Sequence, residues 1–184
     1  MNGQPMIQAL VAYESMFGNT ERVARAVAAG LRLEGVDTKV LDVSHAKPVD
    51  LDVIDLLVVG APTHGFSLSR PYSRADAARQ GGREAAVEIG VREWLGSLPD
   101  TGRNLIAATF DTRVSKVRYL PASASRRAAR MLAERGHHLV SPPMGFLVHD
   151  VAGPLESREI DRAIAWSRSV ALEAQHRLAG AVAG

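Results

Sequence analysis

The chain contains no cysteine, which excludes disulfides, thiolate metal sites and iron–sulfur clusters and fits an intracellular setting. Any redox chemistry must therefore come from a bound organic cofactor. Aromatic residues make up only 5% of the sequence, and no basic stretch is interleaved with the rings on which single-strand binders stack bases. Nucleic acid is not expected as a partner despite a pI of about 9.3, because the net charge is only +2. No apolar run approaches the length of a membrane span. Residues 1–5, MNGQP, lack the basic region and apolar core of a secretion signal. A cytoplasmic protein without membrane insertion is expected. His137 and His138 have no carboxylates at ligand spacing and His45, His149 and His176 stand alone, so no metal site is expected. No internal repeat is visible, and 184 residues suit a single domain over 1–184.

What the chain does have is concentrated in residues 10–27, LVAYESMFGNTERVARAV. An apolar strand runs into Ser15-Met16-Phe17-Gly18-Asn19-Thr20 and an amphipathic helix follows at once. The first N–H groups of a helix have no intrahelical partner, and its dipole places about half a positive charge there, so such a turn can cradle a phosphate without lysine or arginine. Gly18 allows close backbone approach, and the Ser15 and Thr20 hydroxyls would bracket the turn. A plain strand-to-helix turn in which Ser15 and Thr20 merely cap the helix is the competing explanation. There is no GxxxxGKS/T with its lysine and no GxGxxG. The pattern Ser/Thr-x-x-Gly-x-Thr after a strand ending in Tyr13, with Ala24 and Val27 following, resembles the phosphate loop of the flavodoxin family. Ala12 departs mildly from the larger residue usual before that aromatic.

Hydropathy supports the same fold. Residues 7–13 read as a buried strand, and the helix from Asn19 carries Val23, Val27 and Leu31 until Gly35. Residues 38–43 alternate like an edge strand, whereas 55–60, DLLVVG, are continuously apolar as in a central parallel strand. A helix is expected over 85–98, a fourth strand over 104–110 and a helix over 123–135 stopped by Gly136. The fifth strand is expected in two pieces, 138–140 and 145–148, because Ser141-Pro142-Pro143 cannot sustain a ladder. A closing helix over 156–178 would turn Ile160, Ile164 and Ala171 inward. Trp94 and Trp166 fall at core spacing. This alternation implies an α/β doubly wound parallel sheet of five strands, flavodoxin-like, in the order 2-1-3-4-5, with helices on both faces.

The resemblance implies FMN, with its ring over the loops after strands three and four. By position it assigns Pro62, Thr63, His64 and Gly65 to the ring's surroundings. Phe66 is either a stacking side chain or a core residue. The connection after the third strand, irregular from 67 past Gly81-Gly82, is long enough to be a lid. The loop after strand four, Thr109-Phe110-Asp111-Thr112-Arg113, would meet the pyrimidine edge. Arg113, and with it Lys116, would raise the flavin potential above that of acidic electron-carrying flavodoxins: at 4 Å and an effective dielectric near 20 a charge pair is worth about 4 kcal/mol. Arg113 turned to solvent or paired with Asp111 would cancel that effect. The basic residues beyond it, Arg118 to Arg135, suit an acidic protein partner, the extra phosphate of NADPH, or simply a solvated helix face.

Ser15 has no GxSxG elbow around it, so a hydrolase is not indicated, and His149-Asp150 is at best a weak acid–base pair. The resemblance, which spans nearly the whole chain, implies an FMN-binding redox protein that moves electrons to and from a protein partner. The alternatives are an FMN-dependent NAD(P)H:quinone oxidoreductase and a flavodoxin-fold interaction domain without flavin.

Overall fold

The computed structural model describes residues 6–46, 49–84, 87–99 and 103–182. Strand β1 (Gln8–Tyr13) is followed by α1 (Asn19–Leu33), β2 (Asp37–Asp42), β3 (Leu56–Pro62), α2 (Pro71–Arg79), α3 (Val91–Ser97), β4 (Ile106–Val114), α4 (Ala124–Glu134), β5 (His138–Leu139), β6 (Met144–Val148) and α5 (Glu159–Val182). All pairings between these strands are parallel and the order is β2-β1-β3-β4-β5, with β6 also on β4. This is the expected doubly wound order, and the fifth strand is split as expected. Its first piece pairs with Ile106 and Ala107, its second with 110–114, and Ser141-Pro142-Pro143 spans the gap.

Alternate residues of β1 feed two cores. Ala9, Val11 and Tyr13 join Val27, Leu31, Phe110 and Trp166 under α1 and α5, whereas Leu10 and Ala12 join Leu57, Trp94, Leu95 and Leu132 under α3 and α4. Both faces are thus covered, which is why β1 from Ala9 on and β3 are apolar. Helices α1 and α5 pack so closely at Gly30 that a Cβ there would lie 2.0 Å from Ser167 Oγ. On α5 Ala171 is fully buried and Ile160 and Ile164 are partly so; Ala163, Trp166, Val170 and Ala174 are buried with Ala171.

Three boundaries differ from expectation. The connection after β3 is not irregular throughout but contains α2, opened by Pro71 at its first turn, where the missing N–H costs nothing. Its buried anchor is Arg74, fully enclosed, which donates to Ser69 Oγ, Val87 O and Glu88 O and pairs with Glu93 at 3.0 Å. Helix α3 starts at Val91, whose N–H donates to buried Glu14 Oε2 at 2.9 Å; the expected start at 85 lies outside the described residues. Strand β4 continues to Val114, so Thr109 to Arg113 are strand residues rather than a loop, held between β3 and β6. Among the described residues no helix is long and apolar enough to cross a membrane.

Candidate functional site

The turn between β1 and α1 lies at the carboxyl edge of the central strands, at the switch point where β1 and β3 diverge. Gly18 precedes the helix with φ 84°, a left-handed conformation that favours glycine. Ser15 Oγ accepts from Glu21 N at 3.2 Å, and the Thr20 and Thr112 hydroxyls are 2.8 Å apart in a buried pair. Each of these two hydroxyls carries one hydrogen, and the mutual bond uses one, so the other can still donate. Among the described residues, the backbone N–H groups of Met16, Phe17, Gly18, Asn19 and Thr20 donate to no protein acceptor. The turn therefore presents five consecutive unpartnered amides at a helix N-terminus.

Three further segments wall a cleft of about 70 Å³ above this turn. From the end of β3 come Pro62, Thr63 and His64. Thr63 is fixed at both ends, its N–H on Thr112 O at 2.9 Å and its Oγ1 accepting from Ala124 N at 3.0 Å. His64 and Ser67 close a tight turn through reciprocal backbone bonds of 3.0 and 3.1 Å, with Gly65 and Phe66 at φ 53° and 66° across its tip. Phe66, a bulky residue in the left-handed region, is 50% exposed rather than part of the core. Burial pushes the His64 imidazole below its ordinary pKa, with the Arg74 guanidinium adding repulsion.

From the end of β4 come Thr112, Arg113 and Val114. Thr109, Phe110 and Asp111 lie one step behind them. Thr109 Oγ1 donates to Ser125 O at 3.0 Å in the core, and the Phe110 ring packs edge-to-face against Phe146 and Trp166 at centroid distances of 6.0 and 6.1 Å. Asp111 is fully buried and accepts from Ser125 N at 3.2 Å, from Ser125 Oγ, and from Arg113 twice, at 2.7 and 2.6 Å. The charge of Arg113 is therefore balanced within the protein. That bidentate pairing removes the ground for expecting Arg113 to raise a flavin potential.

The fourth wall has no counterpart in the sequence reading. Val148 and Val151, from the segment joining β6 to α5, line the cleft, and Asn19 Nδ2 donates to Ala152 O at 3.1 Å. Hydropathy offers no hint of this, but topology does: every loop leaving a carboxyl end near the switch point meets at the same edge. Arg83 was also missed. Its N–H donates to Met16 O at 2.9 Å and its guanidinium bonds Glu21 at 2.5 Å, tying the α2–α3 connection to the phosphate-type turn.

Residues 11–120 match the sequence model described as Flavodoxin. The chain belongs to the flavodoxin family. Among solved structures it is similar to Flavodoxin 2 of Bacillus cereus, with a TM-score of 0.65 and 19% identity over 90% of this chain and 99% of that one. A flavodoxin from the domain Archaea gives 0.63 and 19%, covering 92% and 100%. A WrbA-like flavodoxin of Agrobacterium tumefaciens gives 0.58 and 18%, covering 92% and 98%. At these identities the likeness is one of fold. A protein of Nostoc sp. strain PCC 7120 named as a diflavin flavoprotein is 34% identical over 73 residues, which span 38% of this chain and only 13% of that protein. Membership in the flavodoxin family implies a flavin cofactor and a redox role.

Proposed function

We propose that the chain binds FMN and serves as an electron-transfer protein working with a redox partner in the cytoplasm. The observation that carries this is the row of unpartnered amides from Met16 to Thr20: converging N–H groups at a helix N-terminus, with the helix dipole behind them, favour an anion. Their place before α1, with Gly18 open to close approach, fits a phosphate ester. A cavity of about 70 Å³ is small beside whole-ligand pockets, so it suits the phosphate and the chain behind it, with a planar ring at the rim.

Bound FMN would supply one- and two-electron redox chemistry, and the protein's part is to hold and tune it. The amides would fix the phosphate, the Thr20–Thr112 pair would offer its remaining hydrogen, and the loop from Pro62 to Phe66 would flank the ring. Asp111 keeps Arg113 from acting as an unbalanced cation. The test is the spectrum of the pure protein with added FMN, followed by anaerobic NADPH. Quenching of FMN fluorescence on titration, with the usual flavin bands, is the expected outcome. No quenching overturns the proposal in favour of an interaction domain without flavin. Steady NADPH oxidation with a quinone would reassign the protein as an NAD(P)H:quinone oxidoreductase.

A further inference from the structure

Residues 113–135 contain seven of the chain's 22 Lys and Arg residues and one of its 20 Asp and Glu residues. That stretch is net +6 in a chain of net +2, which leaves the remainder at −4. The fold brings three of these seven, Arg113, Arg118 and Arg126, to one groove. The end of β4, the turn after it and α4 meet β6 and the start of α5 around an open groove lined by Arg113, Arg118, Tyr119, Arg126, Met144 and Arg162. Two of the four guanidiniums are balanced, Arg113 by Asp111 and Arg162 by Glu159 at 2.5 Å. Among the described residues Arg118 and Arg126 have no carboxylate partner. Arg118 lies instead over the Tyr119 ring, 4.4 Å from its centroid. Tyr119 is 83% exposed and Leu120 beside it 41%.

A helix face kept basic for solubility has no use for the exposed Tyr119 and Leu120 in the turn that leads into it. Unbalanced arginines around an exposed aromatic are the composition of a protein-docking patch, where Tyr and Arg supply most of the binding energy. We propose that this groove docks a protein partner through an acidic surface. Arg113 lines both the groove and the cleft, so the docked partner sits at the cleft's edge. Delivery of electrons through that contact rests on the FMN proposal; docking itself does not. A small phosphorylated ligand fits less well. It would leave Tyr119 and Leu120 unburied, and the charge continues along α4 through exposed Arg130. Unbalanced Arg118 and Arg126, with exposed Arg130 along α4, also steer an acidic partner before contact, a long-range effect that salt screens.

The test uses the full chain, with and without FMN, and two probes of opposite charge: an acidic plant-type two-iron ferredoxin and basic cytochrome c. Binding is followed by shifts of backbone amide resonances, so it is read independently of flavin, while FMN fluorescence reports the cofactor separately. The ferredoxin is expected to bind, to weaken with salt, and to shift resonances around Arg118, Tyr119 and Arg126. The Arg118→Glu/Arg126→Glu variant, altered at two exposed positions, should weaken binding at least roughly tenfold with an unchanged melting temperature. Equal binding of cytochrome c, or undiminished binding by the variant, overturns the proposal. So does displacement of the ferredoxin by NADPH but not NADH, which would assign the groove to a 2′-phosphate.

Discussion

Asp111 grips Arg113 with both carboxylate oxygens, Nε to Oδ1 at 2.7 Å and a terminal nitrogen to Oδ2 at 2.6 Å, two residues along one strand. The carboxylate is fully buried and the Arg113 side chain only 11% exposed. Removing one partner from such a pair strands the other's charge, a loss of about 3 to 5 kcal/mol. Asp111→Asn, which keeps the shape, is therefore expected to lower stability in urea by that amount. An unchanged urea midpoint would show that the pair does not form in solution. In FMN-loaded protein the same substitution should raise the reduction midpoint, because it releases a cation that lines the cleft; each kcal/mol of added attraction is worth roughly 40 mV in a one-electron couple.

Thr20 and Thr112 provide a second test, on the scaffold beneath the proposed phosphate. Either Thr20→Val or Thr112→Val leaves one buried hydroxyl without its 2.8 Å partner, an expected cost of about 1 to 3 kcal/mol. The double variant replaces both by methyls of similar shape and should recover much of that loss. A double-mutant cycle by urea denaturation measures the coupling; strictly additive losses would mean the hydroxyls do not interact. FMN affinity separates the two roles of Thr20. If its hydroxyl also helps hold the phosphate, the double variant regains stability but still binds FMN more weakly than wild type.

The sequence made the sheet legible because β1 from Ala9 on and β3 are buried on both faces and so read as apolar runs, and because Pro142 and Pro143 announce the break between β5 and β6. The phosphate-type turn was legible for a different reason: φ 84° at position 18 favours glycine, so the chemistry leaves a mark on the chain. Helix α2 left none. Its buried anchor is an arginine, and a pattern built on hydrophobic spacing passes over Arg74. The end of β4 was misplaced because Asp111, Thr112 and Arg113 look like loop residues; Asp111 and Thr112 are satisfied by partners far away in sequence, Ser125 and Thr20, and Arg113 by Asp111 itself. Val148 and Val151 reach the cleft through topology alone.

His64 predicts a pH dependence. Its imidazole is held below the usual 6.5 in the folded chain, first by burial and then by Arg74. The unfolded chain therefore binds the proton more readily, so stability rises with pH up to about 6.5 and is lost as pH falls through the folded value. The His64→Gln variant should lack that slope. Urea midpoints of the two proteins across this window check it, together with the His64 proton resonance, whose own midpoint should fall below 6.5. Parallel pH profiles would show that His64 does not sense its surroundings in this way. A dianion in the cleft favours protonation, so FMN should move the resonance midpoint upward.

Two glycines should fail for opposite reasons. At Gly60 the backbone is ordinary strand, but a Cβ would lie 2.0 Å from Phe110 Cζ, and that ring is confined by Phe146 and Trp166. Gly60→Ala is an overpacking change, expected to cost about 1 to 3 kcal/mol or more. At Gly18 the nearest atom to a new Cβ is Arg83 at 3.6 Å, an ordinary contact, and the obstacle is the left-handed φ. Gly18→Ala should cost about 1 to 2 kcal/mol through backbone strain. A smaller residue at 110 discriminates between them: Phe110→Leu should partly rescue Gly60→Ala and leave Gly18→Ala as impaired as before. FMN titration adds the functional half, since reorienting the amides from Met16 to Thr20 weakens phosphate binding, while a strained core beneath β3 leaves them in place. If Gly18→Ala binds FMN as tightly as the wild type, the amides of this turn do not hold the phosphate.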